Sequence, residues 1–152
     1  MKARMKNPAQ ILPEAMQPMQ ALWGAVEKSG LPHTLLHLVH QRVSQINGCA
    51  VCIDGGWRMA KKDGESDERL FALAAWHDAP YFSDAERAAL ELAEHVTRMA
   101  DQADPVPDAV WAEAAKHFEE RPLAGLVLAI ATVNVWNRCN VTTRQVAGEW
   151  KP

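Results

Sequence analysis

The run His33-Thr34-Leu35-Leu36-His37-Leu38-Val39-His40-Gln41-Arg42-Val43-Ser44-Gln45-Ile46-Asn47-Gly48-Cys49-Ala50-Val51-Cys52 decides how this chain folds. Within it, Leu36, Val39, Val43 and Ile46 recur at spacings of three and four. On a helix of 3.6 residues per turn that gathers them into one apolar stripe. Asn47-Gly48 ends the helix, because the residue just past a helix C-terminus is commonly left-handed and favours Gly or Asn. A second helix is expected to open at Cys49 and reach Lys62, with Gly55-Gly56 inside it. Two interior glycines cost roughly 1 kcal/mol each relative to alanine. The pair therefore asks for a reason.

The same pattern continues on both sides. Ala15 to Lys28 reads as a helix stopped by Ser29-Gly30 and Pro32. Ser66 caps a helix reaching Trp76, with Asp67 and Glu68 in a first turn that favours acids. Ser83-Asp84-Ala85-Glu86 is a capping box, followed by the stripe Ala85, Ala89, Leu92, Val96 and Met99. Pro105-Val106-Pro107-Asp108 opens a helix through Phe118, and a last one is expected from about Pro122 to Val146. No stretch alternates with period two for long enough to make a strand. The fold class is all-α, and residues 1–152 form one helical domain.

Composition narrows the function. The 152 residues are 48% hydrophobic and 23% charged, the profile of a globular chain with a real core. A net charge of −3, with no basic run, gives no reason to expect nucleic acid as a partner. Met1 to Gln10 lacks the apolar stretch of a secretory signal. The most apolar segment, Leu123 to Trp136, is 14 residues long; a bilayer span needs about 20. It reads as a buried core helix, and no membrane partner is expected. The three cysteines, Cys49, Cys52 and Cys139, are too few and too unevenly spaced for a secreted disulfide framework. A cytoplasmic location is expected.

Cys49-Ala50-Val51-Cys52 stands where one helix stops and the next starts. Free backbone N–H groups and the dipole at a helix N-terminus stabilise a thiolate, the reactive form of cysteine. The spacing lets two sulfurs close a disulfide once one has been oxidised to a sulfenic acid. Redox chemistry or metal binding is the reading for such a motif; two inert buried cysteines are the bland alternative.

The run Leu38 to Asp54 resembles the core of the alkylhydroperoxidase D (AhpD)-like and carboxymuconolactone decarboxylase superfamily. Gly64 to Leu70, Ala74-Ala75-Trp76, Phe82 to Leu90 and Ile130 to Arg138 extend the likeness over nearly the whole chain. The resemblance implies an AhpD-like helical domain assembled as a homo-oligomer, commonly a trimer or hexamer. It also implies reduction of a small-molecule hydroperoxide, with Cys52 attacking, Cys49 resolving and a thiol reductant of unknown identity restoring the pair. No cofactor and no metal are expected. Such proteins carry a glutamate twelve residues before the first cysteine and a histidine four residues after the second, which relay the thiol proton. Here those positions hold His37 and Gly56, and Gly55 stands where a bulky residue is usual. His37 is then the candidate base, since imidazole titrates near pH 6.5. Loss of a general base typically costs on the order of 10²–10⁴-fold, so weakened or redirected activity is expected.

His33, His37 and His40 share one helix face; His33 and His40 read as solvated. Two histidines with Cys49 and Cys52 have the ligand types of a zinc site, though not a standard spacing. Cys139 reads as a buried free thiol, Asp54 as a first-turn acid, and the Trp136-Asn137-Arg138 run as core packing and a buried hydrogen-bond network rather than catalysis. The six tryptophans read as packing anchors. Beside the peroxidase reading stand two others. One is a His37-centred acid–base or nucleophilic enzyme in a pocket widened by Gly55 and Gly56, by divergence or by engineering. The other is a non-catalytic metal-binding or structural oligomer. Decarboxylase activity would rest on fold analogy alone.

Overall fold

The computed structural model describes Met1–Glu149. Its helices run α1 (Pro8–Ile11), α2 (Pro13–Glu27), α3 (His33–Ile46), α4 (Ala50–Lys62), α5 (Asp67–Ala72), α6 (Asp84–Thr97), α7 (Asp108–His117) and α8 (Glu120–Thr143). Short 3₁₀ turns at Leu73–Ala75 and Met99–Asp101 complete it, and among the described residues there is no strand. The all-α expectation holds.

α3 is the axis of the fold, packed against α4, α6 and α8. One face buries Leu36, Val39 and Val43 against Leu92 of α6 and Leu126 and Ile130 of α8. Its other flank carries Leu38 into a second cluster with Leu73, Trp76, Phe82 and Leu90. Burial on two sides exceeds the single stripe read from spacing. Arg42 joins the halves: its Nε donates to Glu94 Oε1 at 2.8 Å, and Trp76 Nε1 donates to the same oxygen at 2.8 Å.

Asn137, almost wholly buried, accepts from Asn47 Nδ2 at 2.9 Å and donates to Ser44 Oγ at 3.1 Å. This is the network expected of it, and it clamps α8 to the end of α3. Gly125 lets α8 approach the chain after α2, where a Cβ would overlap the side chain of Ser29.

Several expectations are corrected. The helix from Ser66 breaks at Ala72 into a 3₁₀ turn, because Leu73 and Trp76 turn inward to the second cluster. α6 stops at Thr97, which leaves Met99 exposed. α8 ends at Thr143 on a left-handed Arg144. It is not buried all round: Leu128, Val135 and Val141 are exposed. Of the tryptophans, Trp76 is buried but Trp57 and Trp111 are exposed; Trp150 lies outside the described residues. Cys139 is free and only partly buried. No described helix is long and apolar enough to cross a membrane.

Candidate functional site

The cysteine motif is set by the way α3 ends. Gly48 is left-handed, with φ of 65°. Cys49 N donates to Ser44 O at 3.0 Å, and Gly48 N donates to Gln45 O at 3.2 Å. That paired closure turns the chain sharply and makes Cys49 the N-cap of α4. Cys52 falls in the first turn of α4, near the positive end of the helix dipole. The two residues, with Cα atoms 5.3 Å apart, are joined by a disulfide. Both expected cysteines are thus brought together.

They differ in what they face. Cys49 is 1% and Cys52 7% exposed, and of the two Cys52 lines a pocket of about 550 Å³ with Val51, Gly55, Gly56, Met59 and Trp136. Among the described residues no lysine or arginine lines that pocket, and Glu149 is the carboxylate that does.

The histidines fall differently from the sequence reading. His37 Nε2 donates to Asp63 Oδ2 at 2.7 Å, which holds that carboxyl below its ordinary range, and His37 does not line the pocket. His33 is exposed, as expected. His40 is not part of a solvated face. It lines the Cys52 pocket and rests on Gly56, where an added Cβ would stand 2.6 Å from its Cε1 and closer still to Nδ1. The same Cβ would stand 3.1 Å from Gln41 Nε2, which donates to Ile53 O and pins α3 to α4. Gly56 is therefore a clearance for His40. Burial, then the charge of neighbouring His37, pushes His40 down to about 4, so its ring is neutral at neutral pH.

Asp54 lies beyond the first turn of α4. It accepts from Arg58 at 3.0 Å and from Gly148 N at 3.1 Å, and the Arg58 bond lowers its pKa. Among the described residues no three His, Cys, Asp or Glu side chains are gathered to hold a metal ion.

One contact had no sequence signal. Asn140 Nδ2 donates to Cys52 Sγ at 3.3 Å from α8, 88 residues away. His40 was visible only through the glycine opposite it.

The sequence pattern of the carboxymuconolactone decarboxylase family matches residues 13–95. The chain belongs to that family, in the AhpD-like superfamily. It is 38% identical over 132 residues to the uncharacterized protein YdfG of Bacillus subtilis strain 168, covering 87% of this chain and 88% of YdfG. The crystal structure of ATU0492 from Agrobacterium tumefaciens superposes with a TM-score of 0.89 at 33% identity, covering 98% of this chain and all of that one. ATU0492 is a protein of unknown function put forward as the antioxidant defence protein AhpD. The debrominase Bmp8 shares the fold, with a TM-score of 0.81 at 18% identity over 92% of this chain and 74% of its own.

Proposed function

We propose that this family member is a thiol-dependent hydroperoxide reductase. The observation that carries the reading is the asymmetry of the disulfide: both sulfurs are largely buried, and of the two cysteines Cys52 lines the pocket and Cys49 does not. In the reduced protein Cys52 is the attacking thiolate. It takes the distal oxygen of a hydroperoxide, the O–O bond breaks, and the alkoxide leaves with a proton as the alcohol. Cys49 then attacks the sulfenic acid sulfur of Cys52, the S–S bond forms, and water departs. Two thiols supply the two electrons, and an external dithiol must return them.

The histidine that shares the pocket with Cys52 is His40 rather than His37; neutral at neutral pH, its ring serves as a hydrogen-bond acceptor for the Cys52 thiol. His37 is held by Asp63 and acts on His40 through its charge. The pocket joins apolar Val51, Met59 and Trp136 to the amides of Asn7, Asn140 and Gln145, with no cationic side chain among the described residues, and suits an uncharged organic hydroperoxide. Self-association, expected as a trimer or hexamer, is proposed through the exposed Leu128, Val135 and Val141 of α8.

The test is a thiol count on reduced protein after one equivalent of cumene hydroperoxide. Loss of Cys49 and Cys52 thiols with release of the alcohol supports the reading. So does a dimedone adduct on Cys52 in the Cys49→Ser variant. Both thiols surviving excess hydroperoxide would overturn it.

A further inference from the structure

The side chain that touches the reacting sulfur is an amide. Asn140 Nδ2 lies 3.3 Å from Cys52 Sγ, and an amide nitrogen only donates. Toward a disulfide sulfur such a donor does little. Toward a thiolate it makes a charge-assisted hydrogen bond, roughly twice as strong as a neutral one. The contact therefore strengthens when the pair is reduced and Cys52 loses its proton.

Which end of the amide faces the sulfur decides the sign, since its oxygen would repel a thiolate. A chain of bonds from the N-terminus settles that. Ala9 N, which can only donate, is 2.9 Å from Asn7 Oδ1. Asn7 caps α1 in this way and must present Nδ2 at its other end. That Nδ2 donates to Asn140 Oδ1 at 2.6 Å, which turns Asn140 Nδ2 to the sulfur. Asn7 is buried, so its amide does not turn freely to water. The segment is strapped to the end of α8: Arg4 N donates to Thr143 O at 2.8 Å, and Gln145 Nε2 donates to Met5 O at 2.9 Å.

We propose that Asn140 is a catalytic residue that stabilises the thiolate of Cys52 through its Nδ2–H, and that Asn7 is the positioning residue that fixes the direction of its amide. The inference rests on Cys52 being the reactive sulfur. It gives the N-terminal segment a chemical role beside a pocket that α2, α3, α4 and α8 also line.

The experiment measures iodoacetamide alkylation of Cys52 against pH, in full-length reduced protein carrying Cys49→Ser and Cys139→Ser. The Asn140→Ala substitution should raise the alkylation midpoint by about one pH unit and slow reaction at pH 7 about tenfold. Asn140→Asp, which places an acceptor at the sulfur, should raise it further. An unchanged midpoint in folded Asn140→Ala protein overturns the proposal. Asn7→Ala leaves Asn140 in place but frees its amide, and tests the orientation even if Asn140 variants fail to fold. A midpoint moved upward supports the positioning role, and an unmoved one overturns it. The peroxidase reading fails separately, if the wild-type thiols survive hydroperoxide while the Cys52 midpoint still follows Asn140.

Discussion

His40 occupies the volume that any side chain at Gly56 would need, so the imidazole over the Cys52 pocket and the gap in α4 are one feature. A helix interior glycine is otherwise unfavourable by roughly 1 kcal/mol relative to alanine. Here that cost keeps a ring in the site.

Gly56→Ala should expel the ring. The methyl regains helix propensity while forcing His40 outward, so net stability is expected to change by no more than about 1 kcal/mol. The diagnostic is the titration of His40 by NMR, which should rise from about 4 toward 6.5 as the ring meets solvent. In a His40→Ala background the same substitution meets no ring and should stabilise by about 1 kcal/mol. An unchanged His40 titration in Gly56→Ala would refute the packing relationship.

Acid should weaken the fold through the same histidine. Its folded pKa is depressed to about 4 from 6.5 by burial and by His37. The unfolded chain therefore binds a proton below pH 6.5 that the folded chain refuses until near pH 4. This part of the stability is fully present above 6.5 and falls by about 1–3 kcal/mol as pH drops to 4. His37 on the same helix and Glu149 across the pocket are the other titrating groups nearby. Urea midpoints at pH 7.5 and 4.5 should diverge more for the wild type than for His40→Gln. Equal divergence would remove His40 as the cause.

Asn137→Ala should cost about 2–3 kcal/mol, because it leaves the buried Ser44 hydroxyl without its donor and removes one of the two acceptors of Asn47 Nδ2 at the junction of α3 and α8. For a chain of this size the melting temperature should fall by about 4–10 °C. Calorimetry showing a loss below a third of that would mean water replaces the amide without penalty.

Much of this protein was legible in the order of its residues. The apolar stripe of α3, the Asn47-Gly48 stop, the Ser83 capping box and the cysteine spacing are local signals. Local signals survive in sequence because helix periodicity and caps act within a turn or two. The absence of the family's glutamate and histidine was equally plain at His37 and Gly56. What filled the gap was not. Whether His37 or His40 meets the pocket depends on how α3 is rotated against α4, which Leu38, Leu73 and Trp76 decide by drawing α3 into a second cluster. Asn140 reaches Cys52, and Asn7 reaches Asn140, only because tertiary packing brings the N-terminal segment and α8 to the pocket. Sequence determined the helices and the redox pair; tertiary packing chose the groups around the sulfur. The reason is that side-chain direction is set by long-range burial rather than by neighbours along the chain.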